Sequence, residues 1–430
     1  MKRNIINFLA NWKKKPGRKP LIIRGARQVG KTYTITDFGK NHFDKFIKLD
    51  FEKTPRLKRI FNDDLDVRNI FEMIELEIGV EIVVGKTLLF FDEIQLCPRA
   101  LVALRYFYED MPEMHVIAAG SLLEFEMERI SFPVGRVEFK YMYPMTFDEF
   151  LVNTGNEKLA AKRPDLFETQ KISEFILLEL YRQLKLYFIV GGMPEAVKTY
   201  ILSSLKAVSE VHENLFNSFI QDILKYEKSI ELDILRNVLE AIPKNSSKNI
   251  KYVNLCPGAT IYKIKKTLKI LEKCLLVNPI HSSSAAGLPL SSCINKSTLK
   301  LCFLDIGFMQ HICGIKAGEI LNSKNLVKTY QGVLCEQFIG QELLASGGSQ
   351  NQKMYFWSRI GKNSNAEIDF LIVRNGEIFP LEIKNGPAGK LKSLHLFFDE
   401  HPNIKKGFVL NTGQTGQVEK IYFRPLITKI

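Results

Sequence analysis

No stretch of this sequence approaches the ~18 consecutive apolar residues that would suggest a bilayer-spanning helix. None of its seven cysteines forms a C-x-x-C pair either. The first absence leaves no integral membrane segment to expect. Cys97, Cys256, Cys274, Cys293, Cys302, Cys313 and Cys335 are odd in number and scattered. That argues against a disulfide framework and a zinc site, and points to a reducing, cytoplasmic setting. The seven histidines show no metal-ligand spacing. Acid is the scarcer charge, with 47 Asp and Glu against 60 Lys and Arg, a net +13. Such an excess favours an acidic partner, nucleic acid or nucleotide, and on charge alone is also compatible with a membrane surface. The opening "MKRNIINFLANWKKKPGRKP" starts like a signal peptide, but its apolar run is short, is broken by Asn7 and has no small-residue cleavage site. It reads as a short basic amphipathic helix leading into the first strand. At 430 residues the chain exceeds one ordinary core, so two to four domains are expected.

The most specific pattern present is "LIIRGARQVGKT". Leu21 to Arg24 read as a buried strand, and Gly25-x4-Gly30-Lys31-Thr32 fits a phosphate loop. Its backbone, Gly25, Ala26, Arg27, Gln28, Val29 and Gly30, would converge N–H groups on phosphate oxygens. Lys31 would reach the β/γ-phosphates, and Thr32 would offer its hydroxyl to Mg²⁺ at the start of a helix. The partner motif is "TLLFFDEIQ". Its apolar run reads as a buried strand delivering Asp92 to Mg²⁺ and Glu93 to the attacking water, which makes hydrolysis the expectation rather than binding alone. "MHVIAAG" is a further strand, and Ser121 after it stands either where related ATPases sense the γ-phosphate or as a helix N-cap. Arg136 is either a surface residue or a stabiliser of transition-state charge, in its own or a neighbouring subunit.

The middle of the chain reads as helical from about 156 to 245. Beyond it, "IYKIKKTLKILEKCLLVNPI" has an apolar stripe of Ile261, Ile264, Leu268 and Leu271. Lys266, Lys269 and Lys273 form a row on another face, either solvated or set against phosphates. With the Ser/Ala/Gly-rich "HSSSAAGLPLSS", read as a mobile loop, this suggests a winged helix.

Near the end, "EIDFLIVRNGEIFPLEIK" places Asn375-Gly376 between two apolar strands, the signature of a two-residue type I′ hairpin. That turn sets Phe370 opposite Leu381, Ile368 opposite Ile383, Asp369 opposite Glu382 and Glu367 opposite Lys384. Asp369, Glu382 and Lys384 then share one face. Opposed carboxylates lie roughly 5 Å apart at Cβ and repel, which a divalent cation or a proton would relieve. The pair invites Mg²⁺, with Lys384 orienting a water or stabilising developing charge on a phosphodiester. The alternative is a pair of ordinary acids on a solvated face, with Lys384 pairing Glu367.

Taken together the chain resembles bacterial and archaeal AAA-type ATPases of the AAA+/STAND group, fused to a C-terminal domain of unknown function with a PD-(D/E)XK restriction-endonuclease-like core. The resemblance spans about residues 18–385. It is carried by "GARQVGKT", "LLFFDEIQ", "AAGSLL", "PVGRVEFKYMYPMTFDEFL", "GGMPEAV", "LCFLDIGF", "GVLCEQFIGQELL" and "AEIDFLIVRNGEIFPLEIKNG". It implies ATP as ligand and Glu336 as a further acidic metal ligand beside Asp369 and Glu382. The expected fold class is α/β, with a P-loop parallel sheet over residues 1–155 and a helical lid over 156–245. A winged-helix segment over 246–325 and a nuclease-like domain over 326–430 complete it. The function expected is ATP hydrolysis coupled to Mg²⁺-dependent action on nucleic acid, DNA before RNA, with homo-oligomerisation left open. One alternative is a nucleotide switch whose C-terminal domain binds a partner without cutting. Another is a signalling ATPase anchored by its N-terminal helix.

Overall fold

A computed structural model describes the whole chain except residues 128–131, 133–134, 170, 323–330, 348–352, 360–365, 385–390 and 414. Two compact units are present. The first is Met1–Tyr143 with the short piece Lys273–Leu275, and the second holds the rest from Pro144 onward.

In the first unit β1 (Leu21–Arg24), β2 (Lys45–Asp50), β3 (Thr87–Asp92), β4 (His115–Gly120) and β5 (Glu138–Tyr141) form a parallel sheet in the order β2-β3-β4-β1-β5. β3 and β4 are buried at every position, the consequence of helices covering both faces of a parallel sheet. Those helices include α1 (Ile5–Lys14), α2 (Lys31–His42), α3 (Val67–Ile78) and α4 (Pro98–Asp110). Asp66 caps α3 by accepting from the N–H groups of Arg68 and Asn69, and Gly79 ends it in the left-handed region. Phe51, Phe61, Phe91 and Phe107 meet edge to face in the core. α1 is amphipathic as expected, but Ile5, Leu9 and Trp12 are buried within the unit and Trp12 Nε1 donates to the Lys19 carbonyl. Its apolar face is therefore committed to packing, against its use as an anchor. No described helix is long and apolar enough to cross a membrane.

The second unit contains one mixed sheet of eight strands. These are β6 (Val277–Ser283), β7 (Ile294–Phe303), β8 (Met354–Ser358), β9 (Glu367–Arg374), β10 (Glu377–Ile383), β11 (Gly407–Asn411), β12 (Gly416–Val418) and β13 (Ile421–Pro425). Their order is β12-β13-β11-β10-β9-β8-β6-β7. β6 pairs with β7 antiparallel and with β8 parallel. The strands expected in a separate winged helix thus belong to the same sheet as the hairpin. The expected boundary at 325/326 lies outside the described residues, but hydrogen bonds join the strands on either side of it. The helices Glu174–Val190, Leu205–Tyr226 and Leu232–Lys244 also belong to this unit, so the lid and nuclease-like segments are not separate bodies.

Two local expectations change. Ile261 is exposed and only Ile264, Leu268 and Leu271 of its stripe are buried, while Lys266 donates to Ser229 Oγ. The segment read as a mobile loop sends Ala285 and Leu290 into a core with Trp357, Ile368 and Phe397. Ser283 Oγ ties that loop to the Leu290 carbonyl.

Candidate functional site

The phosphate loop leaves β1 at the carboxyl end of the parallel sheet, where open α/β sheets receive ligands. Gly25 is required sterically, because a Cβ there would meet the Met142 carbonyl oxygen at 2.2 Å. Gly30 holds φ +95° as the residue before α2, and Gln28 also lies at positive φ. The loop is braced from the N-terminus. Buried Arg3 donates from Nη1 to the Val29 carbonyl at 2.8 Å and from Nη2 to Tyr143 at 2.7 Å.

Lys31 is buried and its Nζ donates to the Gly25 and Ala26 carbonyls, each at 2.8 Å. Burial lowers its pKa to about 8, against the opposing pull of Glu93 and Asp92. Thr32 Oγ1 donates to Asp92 Oδ1 at 3.0 Å, so the hydroxyl and carboxylate expected to share Mg²⁺ are already adjacent. Lys48 on β2 pairs with the other Asp92 oxygen at 2.7 Å and with Asp50 at 2.9 Å. Burial works against that ammonium, but the bonds to the two aspartates outweigh it and raise its pKa.

Glu93 takes a left-handed backbone at φ +50°, and burial raises its pKa. Its Oε2 accepts from Gln95 Nε2 at 2.6 Å, whereas Gln95 Oε1 is buried without a hydrogen-bond partner. A Cβ on Gly120 would strike that oxygen at 2.3 Å, so the glycine ending β4 makes room for Gln95. Ser121 is buried immediately beyond β4. Arg27 lies 3.9 Å from Glu52. Arg136 is exposed and held by Glu109 of α4 at 2.7 Å, which ties it to its own surface.

In the second unit the hairpin turn is as read. Asn375 and Gly376 have φ of +51° and +76°, and the ladder runs from Glu377–Arg374 to Leu381–Phe370. One step further the ladder gives way to side-chain chemistry. The Ile383 N–H donates to Asp369 Oδ2 at 2.7 Å, and Glu382 stands in register with Val409 of β11. Glu382 is only 4% exposed, so it is not an acid on a solvated face. Its Oε1 pairs with Lys384 at 2.5 Å and its Oε2 is buried without a hydrogen-bond partner. Burial, then the charge of Asp369, pushes Glu382 up to about 7 and Glu336 up to about 8; burial raises Asp369 too.

Glu336 comes from the helix Gln331–Ser346, as the metal-ligand expectation required. Its partner, however, is a cation that the pattern did not disclose. Lys300 on β7 pairs with Glu367 and lies 3.8 Å from Glu336 Oε2. The suggested Glu367–Lys384 pairing is therefore replaced by Glu367–Lys300. Among the described residues no three His, Cys, Asp or Glu side chains are placed to hold a metal ion. Glu336, expected beside Asp369 and Glu382 as a metal ligand, stands against Lys300 here and feels the charge of Asp369.

Arg3, Lys48, Gln95 and Lys300 were missed. Gln95 alone had a local signal, two residues past Glu93 in the motif itself.

Three families match segments of the chain. Residues 17–151 match an AAA domain, residues 181–319 a domain of unknown function (DUF8612) and residues 331–425 another (DUF4143). Most of the first unit is thus similar to an AAA domain. The uncharacterized protein MJ1637 of Methanocaldococcus jannaschii is 22% identical over 295 residues, 65% of this chain. The chain spans 60% of that relative's length. Among solved structures, the Aeropyrum pernix ORC1 protein in complex with DNA is similar at 11% identity. That match covers 73% of this chain and 91% of the other, with a TM-score of 0.27. The α/β class follows from the parallel sheet of the first unit and the mixed sheet of the second.

Proposed function

We propose that the protein binds and hydrolyses ATP in its first unit and uses the turnover to govern a nucleic-acid-directed acidic site in its second. The observation that carries the first half is the convergence of Lys31, Thr32 and Asp92 at the carboxyl end of β1 and β3. In this reading the loop from Gly25 to Thr32 wraps the phosphates, and Lys31 donates to β/γ oxygens in place of the Gly25 and Ala26 carbonyls. Thr32 and Asp92 supply the oxygen ligands that Mg²⁺ prefers. Glu93, oriented by Gln95, accepts the proton of the attacking water, and Ser121 faces the γ-phosphate. Arg136, held by Glu109 on the exposed surface, acts on a neighbouring copy.

In the second unit Asp369 and Glu382 fit a single divalent cation, since a buried carboxylate oxygen of Glu382 lacks a partner. Lys384 stands beside that carboxylate, where it would stabilise charge developing on a phosphodiester. A bound Mg²⁺ would neutralise phosphate charge at either site and lower the pKa of a coordinated water. The net charge of +13 suits nucleic acid, DNA before RNA, in the cytoplasm. A second reading, a nucleotide switch whose second unit binds a partner without cutting, draws support from Lys300 standing among the acids.

The test is cleavage of single- and double-stranded DNA and RNA with Mg²⁺ or Mn²⁺, with and without ATP. Lys31→Ala is expected to abolish ATP turnover, and Lys384→Ala to abolish metal-dependent cutting while turnover persists. Wild-type protein that turns over ATP but cuts nothing establishes the switch.

A further inference from the structure

An ammonium removed from water is tolerated only when it is paired. Lys300 is 1% exposed, midway along β7, with the Phe356 ring 5.0 Å from its Nζ. Its company is acidic. Glu367 pairs with it directly, Glu336 lies at 3.8 Å, and Asp369 also acts on its charge. Glu382 and Lys384 complete the cluster on the Asp369 side. Four carboxylates face two ammonium groups, and a carboxylate oxygen of Glu382 is buried without a hydrogen-bond partner. Fully ionised, the cluster is left with two negative charges in excess, the charge of one divalent ion.

We propose that Lys300 is the built-in cation of this site: it holds Glu336 and Glu367 as a permanent counter-ion, leaving Asp369 and Glu382 to take one exchangeable divalent cation. Glu336 is then a partner of Lys300, 3.8 Å from its Nζ, rather than a metal ligand. The inference rests on the reading of Asp369 and Glu382 as a cation site and adds what lies beside it. The cluster stays assembled without metal because Lys300 is covalently part of the chain.

If a cation is what the position needs, a metal can replace the lysine. In Lys300→Met of the full-length protein, the melting temperature in EDTA is expected to fall by on the order of 10 °C. Millimolar Mn²⁺ is expected to restore most of that loss, while the wild type gains only a few degrees. Lys300→Met/Glu367→Gln, which removes one charge of each sign, is expected to melt near the wild type with no enlarged response to Mn²⁺. A Lys300→Met protein destabilised equally with and without Mn²⁺ overturns the inference, since that is the signature of lost packing alone. So does one indistinguishable from wild type. Should Lys300→Met fail to fold in EDTA, refolding in Mn²⁺ decides: recovery supports the built-in cation, and failure in both overturns it. Asp369→Asn separates the underlying reading. Loss of the small wild-type Mn²⁺ response there upholds the Asp369–Glu382 site. No response in the wild type at all, with metal rescue in Lys300→Met intact, would sink that reading and leave the role of Lys300 standing.

Discussion

Asp92 and Asp369 are both strand carboxylates with a lysine nearby, yet the two lysines are housed differently. Lys48 comes from β2, the strand directly beside β3, and its side chain is 27% exposed. Lys300 comes from β7, with β6 and β8 between it and β9, and its side chain is 2% exposed. The Lys48 ion pair is within reach of water, next to a loop whose backbone is shaped for an anion. A cation there can be exchanged when a charged ligand arrives. Lys300 itself is enclosed by protein, although Glu367 and Glu336 reach water at 28% and 22% side-chain exposure, so losing those partners strands a buried ammonium. The first region keeps its lysine near water and the second keeps its lysine buried.

The largest effect that sharpens this contrast is expected from Glu93→Gln. The amide cannot accept a proton, so ATP turnover should fall by about 10²–10³-fold while ATP binding is retained. Steady-state hydrolysis beside equilibrium nucleotide binding reads both quantities. Equal loss of binding and turnover would mean that Glu93 shapes the pocket and does not act on water.

A difference in pH response follows next. Glu382 and Glu336 titrate near 7 and 8 in the folded chain, against an ordinary carboxyl value of 4.5. The folded state thus binds more protons than the unfolded one across that window, and stability contributed by the cluster falls as pH rises from about 4.5 to 8. Lys31 has the opposite sign. Its value of about 8 lies below the ordinary 10.5, so its contribution improves as pH rises from 8 toward 10.5. Melting curves from pH 5 to 10 are expected to show the first slope flattened by Mn²⁺ and the second unaffected by it. A Mn²⁺-independent slope below pH 8 would break the assignment of the acids to a cation site.

Much of the first site was legible because its parts are local. Glycine spacing, a buried strand and an acidic strand end are each visible within a dozen residues. The hairpin was legible for the same reason, since Asn375-Gly376 fixes its register to Leu381–Phe370. Lys300 was not legible. In "STLKLCF" it alternates with apolar residues and reads as a solvent-facing strand position, and only the tertiary fold brings Glu336 and Glu367 to it. Two other motifs serve packing. A Cβ on Gly192 would meet the Met145 carbonyl at 2.1 Å. The Gly192 N–H donates at 2.6 Å to Asp305, which is fully buried and also accepts from Phe308 N–H. "GGMPEAV" and "LCFLDIGF" are thus two halves of one backbone junction. Their co-occurrence says that the junction must close, which one-dimensional patterns present as a pair of unrelated signatures.

The smallest effect tests the comparison most directly. Lys48→Met removes an ammonium that is partly in water, and Asp92 keeps the Thr32 hydroxyl at 3.0 Å. Partly exposed ion pairs contribute about 1 kcal/mol or less, so the melting temperature is expected to drop by no more than about 2–4 °C. Added Mn²⁺ without nucleotide should recover little of it, because Lys48 leaves behind two carboxylates, Asp50 and Asp92, near water, where Lys300 is buried among three. Affinity for Mg²⁺–ATP should change by less than about fivefold, as the loop backbone and Lys31 supply most of the phosphate contacts. If Lys48→Met instead destabilises the chain as severely as Lys300→Met and is rescued by metal to the same degree, exposure does not distinguish the two lysines. Both would then be built-in cations, and the first site would have to release one before it could accept Mg²⁺.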